Sequence, residues 1–506
     1  GQRQSSREDY YLGGHRLPGW ALATSIIATQ CSTNSLLGAP AFVGFVAGGG
    51  MLWLQYELAV PLAMLLLCLL FLPISRSGVI SVYAYLERRL GLASRLLASA
   101  CFLFFRGVAT GVTVYGVASV IGLVADISFT TSVLLLMGIT VAYDALGGMR
   151  AVVISDVIQM VLLIAAVLLA LFWLADPLIS NFASLEDRSQ TLVNDWGLTS
   201  GNSYGFWPML FGGLFLYVAY YGCDQSQAQR LLSAENEAQT RHILLLNGVM
   251  RFPLVLSYCF LGLCLGAYAL LHPDFVAGLP VNEINEPNYN LAVPVFVVKH
   301  FPHGLIGLVM VGLFAAAMSS LDSTLNALSA LGMQDIVKRY VKKEMSSRME
   351  LVISKLLTVF WGVVCIFFAF FVGSISDTIV ESINKIGSLV NGPLLAVFLM
   401  GMLTRRVNGQ GATGGLIVGC VLNLLLWKYV PKISWLWWNV IGFFVTYGAG
   451  YLISLVFPKP DPARFEGTLF QRVRGPLSAH QTNWRPYYVT LALYGTGILL
   501  LLLVMT

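Results

Sequence analysis

Two stretches far apart in the chain carry residue types able to hold a cation and a polar solute. The first, SIIATQCSTNSLLGAPAFVGF at 25–45, sets Thr29, Gln30, Ser32, Thr33, Asn34 and Ser35, then Gly38 and Pro40, inside a long apolar run. A helix in lipid must satisfy its own backbone. A polar middle broken by Gly and Pro is therefore tolerated only where it lines a cavity or packs on protein. The second, GLFAAAMSSLDSTLNALSA at 312–330, places Ala316, Ser319, Ser320 and Ser323 at i, i+3, i+4, i+7, one face of a helix. Small residues there let helices approach closely, so packing is the plain reading of that stripe alone. Beside a broken helix it reads otherwise: hydroxyls and freed carbonyls are hard oxygen ligands that suit a dehydrated sodium ion. Charges inside other apolar runs, such as Glu57 and Arg106, need a ligand or a buried partner.

The elements that must position these groups are membrane helices. Of 506 residues 57% are hydrophobic and only 11% charged, which excludes an ordinary soluble domain. Thirteen apolar runs are long enough to span a bilayer: about 18–46, 51–73, 97–125, 129–147, 152–175, 206–230, 244–272, 293–330, 351–374, 378–402, 412–430, 434–457 and 486–505. Basic residues gather on one side. Lys338, Arg339, Lys342, Lys343 and Arg348 fall in one loop, joined by Arg88, Arg89, Arg230, Arg241, Arg405 and Arg406, whereas 273–292 has only acids. That asymmetry puts those loops and residues 1–17 in the cytoplasm. Residues 1–17 read as a loop, with a further span expected upstream. The eight cysteines form no CxxC pair and read as free core thiols. No nucleophile or cofactor constellation points to an enzyme. Absent Asn-x-Ser/Thr sequons favour a bacterial inner membrane.

Ten spans from 18 to 402 divide into two sets of five. Each set opens on an unusual helix: 25–45 in the first, and FWPMLFGGLFLYVAYYGCDQ at 206–225 in the second. That is the pattern of an inverted repeat. The expected fold is an all-α polytopic membrane protein with a five-plus-five, LeuT-like core. Residues 18–175 would form one repeat, 206–402 the other, and 403–506 accessory helices.

Four stretches resemble the sodium/solute symporter family, which includes sodium–glucose, proline, sialic acid and iodide/monocarboxylate cotransporters. They are EDYYLGGHRLPGW (8–20), GGMRAVVISDVIQ (147–159), DQSQAQRLLSAEN (224–236) and GMLTRRVNGQGATGGLIVGCV (401–421). The resemblance implies secondary active transport driven by Na+. It maps the family's sodium ligands onto Ala28, Cys31, Ala316, Ser319 and Ser320. A second cation, found in some members, would fall on Asp156, Ser319, Asp322 and Ser323. Asp322 departs there from the commoner Ser or Thr. A second sodium, a proton shared by Asp156 and Asp322, or a basic partner for Asp322 all remain open. Glu57 lies sixteen residues before Pro73, the spacing of the acidic sugar ligand in sodium–glucose transporters. An ion pair between Glu57 and Arg106 is the structural alternative. Other pocket positions of the sugar branch fall on Gln30, Asp224 and Asn384, with Ser226 where its inner-gate Tyr would stand. Ser32, Asn34 and Ser35 complete the candidate substrate set.

The expected function is sodium-coupled symport of a small polar organic solute by alternating access. A sugar or polyol ranks first, a monocarboxylate or vitamin-like anion second and an amino acid third. A membrane sensor or a channel-like passive path is the rival class. The expected partners are a small-molecule substrate and the lipid bilayer; nothing points to nucleic acid or an obligate protein partner.

Overall fold

The structure is a computed structural model describing residues 7–31, 33–174, 185–282, 285–341, 345–372, 378–470 and 483–505. Ser32 lies outside the described residues, as do Lys342 and Lys343. The described elements are helical. We name α1 Arg7–Leu12, α2 Gly19–Gln30, α3 Thr33–Gly44, α4 Met51–Leu70, α5 Val82–Leu90, α6 Leu92–Ala125 and α7 Phe129–Trp173. The second half holds α8 Gly213–Cys223, α9 Gln225–Leu232, α10 Glu237–Leu271, α11 Ala292–His300, α12 His303–Leu331 and α13 Ser347–Val372. It closes with α14 Ile379–Ser388 and α15 Asn391–Leu403, followed by α16 Gly409–Tyr429, α17 Trp437–Val456 and α18 Arg485–Val504.

Breaks in the first helix of each half match the sequence pattern. Between α2 and α3 the chain leaves helical geometry at Cys31 (φ −92°, ψ 52°). In the other half, Asp224 (φ −77°, ψ 119°) separates α8 from α9. The long helix α7 is two spans joined at Gly148, whose φ of 59° and ψ of −168° suit a residue without Cβ.

Three boundaries differ from the sequence reading. The run 293–330 is two helices, because Phe301 precedes Pro302 and is held extended (φ −90°, ψ 148°). The run 378–402 bends by 42° between α14 and α15. Residues 7–12 are helical instead of loop, with Tyr10 and Tyr11 wholly buried; the Tyr11 hydroxyl bonds Ser329 at 3.0 Å and that of Tyr10 bonds Thr358 at 3.3 Å.

In lipid, apolar side chains gain little by leaving one apolar medium for another, so close backbone packing must hold the helices together. At the α3–α10 contact a Cβ on Gly44 would sit 2.7 Å from the Gly262 carbonyl, and one on Gly262 would sit 2.7 Å from Pro40 Cα. The broken helix is thereby clamped along the apolar second half of α3, beyond its polar residues. The stretch 401–421 works similarly: Gly411, Gly415 and Gly419 face α17, where a Cβ on Gly415 would lie 2.5 Å from the Thr446 carbonyl. Asn408 caps α16 by accepting from the Gly411 N–H at 2.9 Å. Buried Arg89 donates to the carbonyls of Gly401 (3.0 Å), Thr404 (2.5 Å) and Val407 (3.3 Å), which covers the end of α15.

Candidate functional site

The end of α2 meets the middle of α12. Ser319 donates to the Ala28 carbonyl at 2.9 Å and to its own helix at Ala316, 3.0 Å. Ser320 donates to the Thr29 carbonyl at 2.7 Å. The chain breaks one residue past Gln30, so the carbonyls of this last turn lose their helical donors and face hydroxyls instead. The Cys31 carbonyl accepts from Tyr258 at 2.9 Å, and a carbonyl has a second lone pair to offer. Ala28, Ala316, Ser319 and Ser320 therefore form a knot of neutral, hard oxygens, with Cys31 at its edge.

One turn further along α12 the chemistry changes. Arg230 on α9 is 1% exposed and donates to Asp156 at 3.2 Å, to Ser25 at 2.5 Å, to Ser323 and to the Ser226 carbonyl. Ser25 also bonds Asp156, and Thr29 bonds Ser323 at 2.9 Å. A guanidinium thus sits among Asp156 and Ser323, two of the residues assigned to a second cation. Arg230 is not a loop charge as its position at the end of an apolar run implied: past Asp224, α9 is buried along its whole length. Asp322 is fully buried, receives only Ser323 at 3.3 Å, and forms no ion pair among the described residues.

Beside the break lies a cavity with an empty volume of about 1040 Å³, including its opening to solvent. Gln30, Asn34, Ser35, Arg106, Asp224 and Asn384 all line it, drawn from five segments of both halves. Asn34 donates to Thr113 at 2.9 Å, Tyr221 donates to Gln30, and Arg106 faces Asp224 at 3.6 Å. Sequence reasoning missed Thr110 and Thr113, which also line the wall. Their i+4 and i+7 spacing from Arg106 on α6 was the available signal.

Glu57 and Ser226 do not line this cavity. The structure replaces the considered Glu57–Arg106 pair with a different one. Arg251 on α10 donates to Glu57 at 2.6 and 3.0 Å, and Tyr217 adds a bond at 3.2 Å. Arg106 lines the cavity wall instead, and Arg251 is the base that the buried acid requires. Ser226 is buried behind its own cap, giving its N–H (2.8 Å) and hydroxyl (2.5 Å) to Asp224.

The chain is similar to known proteins over most of its length. A model of the sodium:solute symporter family matches residues 10–419. A sodium/sialic acid symporter of Aliivibrio fischeri is 28% identical, covering 90% of this chain and 89% of its own. The human sodium/iodide cotransporter is 27% identical over 83% of this chain and 65% of its own. The human sodium-coupled monocarboxylate transporter 1 is 26% identical, over 84% and 69%. Among solved structures, a substrate-bound, outward-open Na+-coupled sialic acid symporter superposes with a TM-score of 0.80 at 25% identity, covering 90% of this chain and 94% of that one. The fold of Mhp1, a nucleobase-cation symporter, is shared at a TM-score of 0.54. A broken first helix set against a hydroxyl-bearing eighth core helix, and a family match through both, lead to one conclusion: the chain belongs to the sodium:solute symporter family of multi-pass membrane transporters, whose coupling ion is Na+.

Proposed function

We propose that this symporter binds one sodium ion between α2 and α12 and a small polar organic solute in the adjoining cavity, moving both by alternating access. Ala28, Cys31, Ala316, Ser319 and Ser320 are the sodium ligands. Gln30, Asn34, Ser35, Arg106 and Asn384 contact the solute, with Asp224 beside Arg106 on the same wall. One observation carries the reading: the Ser319 and Ser320 hydroxyls rest on the carbonyls at the broken end of α2. A cation entering there exchanges those hydrogen bonds for coordination without an opposing charge to displace. It also joins the fragment beside the solute to the opposite half, which is how ion and solute binding become coupled.

Of the solute classes, the polyol reading leaned on Glu57, and that carboxylate is engaged by Arg251 and Tyr217. The sialic acid, iodide and monocarboxylate transporters among its relatives are named for anions. Each sodium carried inward gains about 2.3 kcal/mol per 100 mV of membrane potential, enough for roughly fiftyfold accumulation of a neutral solute.

The test is made in proteoliposomes loaded with potassium. An inward sodium gradient should drive concentrative, saturable uptake of labelled lactate, sialic acid, alanine or mannitol. Equal uptake in sodium and potassium, or flux that never saturates, would favour the channel-like path.

A further inference from the structure

Among the described residues lining the cavity, Arg106 is the only base and Asp224 the only acid. Their 3.6 Å separation is an electrostatic contact longer than a good hydrogen bond. Asp224 does not depend on Arg106. Its other oxygen accepts the Ser226 N–H at 2.8 Å and the Ser226 hydroxyl at 2.5 Å, and it caps the N-terminus of α9, where a negative charge is favoured. Arg106 is the less satisfied partner. Its Nη2 reaches Thr324 at 3.2 Å and the Tyr220 side chain engages it too, but its Nε–H has no acceptor. The guanidinium lies over the Tyr220 ring at 5.5 Å, and its side chain is only 14% exposed. A cation so placed, with its Nε–H unspent and only a long contact to Asp224, is matched by an oxyanion on that edge of its fork. The rest of the wall is neutral: Asn34, whose Oδ1 has no partner, Asn384, Thr110 and Thr113 suit hydroxyl, amide or amine groups.

We infer that the transported solute bears a carboxylate, which binds the free edge of the Arg106 guanidinium while Asp224 stays with its helix cap. The inference rests on the symport reading of the same cavity and names the substrate class within it. A second acid close by makes the site suited to a single carboxylate, since a dianion would meet Asp224.

Purified full-length chain is heated in sodium or potassium chloride with lactate, alanine, sialic acid or mannitol, and the unfolding temperature is followed against solute concentration. At least one of the three carboxylates should stabilise the protein in sodium only, and mannitol should not. Arg106→Gln should weaken that response at least about tenfold, the loss of a charge-assisted contact, while keeping stabilisation by sodium alone. Asp224→Asn, which removes the competing acid, should tighten it a few-fold and serves if the first variant does not fold. A response to mannitol equal to that of the acids, to none of the carboxylates, or unchanged in Arg106→Gln overturns the inference, as does its loss in Asp224→Asn. Responses to alanine and lactate separate a zwitterion from a simple acid. Failure of sodium alone to stabilise the unaltered chain would instead strike the symport reading itself.

Discussion

One turn of α12 separates two sites that answer the same problem in opposite ways. At Ser319 and Ser320 the oxygens are neutral and hold one another, so the position is complete without a charge and open to one. At Ser323 the oxygens adjoin Asp156, and Arg230 already supplies the positive charge on a covalent tether. A tethered guanidinium cannot be exchanged across a membrane, whereas a free ion can. The difference divides structure from transport: charge that must stay is paired within the chain, and charge that must move is left to weaker, uncharged ligands. Glu57 with Arg251, which also reaches the Cys31 sulfur at the break, repeats the tethered solution.

The comparison breaks most visibly if the tethered cation is removed. Arg230→Gln leaves Asp156 buried without its partner, and loss of one member of a buried pair costs about 3–5 kcal/mol. The variant's unfolding temperature should fall sharply, with Arg230→Gln/Asp156→Asn recovering part of the loss. An Arg230→Gln protein as stable as the parent would show that the guanidinium is not what neutralises Asp156.

The exchangeable site should respond on another axis. Ser319→Ala and Ser320→Ala remove ligands but no charge, so folding should change little. Half-saturating sodium, read from sodium-dependent stabilisation, should rise roughly tenfold for each, as expected for an interaction of about 1.4 kcal/mol. A variant with unaltered sodium dependence would move the ion elsewhere.

What could be read from the residues alone follows the same division. The spans were legible because a bilayer demands about twenty apolar residues in a row, and the broken helix because polar residues there are costly. The meeting of Ser319 with Ala28 followed from a face and a resemblance, both local in sequence. The partners of buried charges were not legible. Periodicity shows that Glu57 and Asp156 need a counter-ion but not which remote arginine turns toward them. Arg251, in MRFPLV, was as conspicuous as Arg106 and would have been found by demanding a base for every mid-span acid. Arg230 was concealed because an apolar run that ends in polar residues looks like a helix leaving the membrane. Here one extended residue, Asp224, interrupts the helix, and every residue of α9 beyond it is buried. The bend between α14 and α15 was legible but not read: Pro393, third residue of α15, has no N–H for the Leu389 carbonyl four residues back, and the Asn423 amide takes that carbonyl instead at 3.0 Å.

The smallest effect belongs to a third arrangement, where fixed charges meet outside the lipid. At the Arg-rich end of α6, Glu87 of α5 accepts from Arg339 at 2.6 and 2.7 Å and from Arg95 at 2.7 Å, and Arg95 also reaches Asp335 at 2.8 Å. Burial raises the Glu87 pKa, but the hydrogen bonds from Arg339 and Arg95 outweigh it and hold the group below its ordinary value of 4.5. A carboxyl whose pKa is lowered by folding adds stability above its unfolded pKa and loses it as pH falls through the folded value. With 31% of its side chain exposed, solvent screens the network, so the gain is about 1 kcal/mol. Glu87→Gln should therefore lower the unfolding temperature slightly and equally at pH 7 and pH 6. The gap from the parent should close only in acid below the usual carboxylate range, and should narrow in high salt, which leaves the buried Arg230 pair untouched. A gap that persisted after acidification would assign the loss to packing of the side chain, and Glu87 would join the tethered pairs inside the membrane as a structural charge.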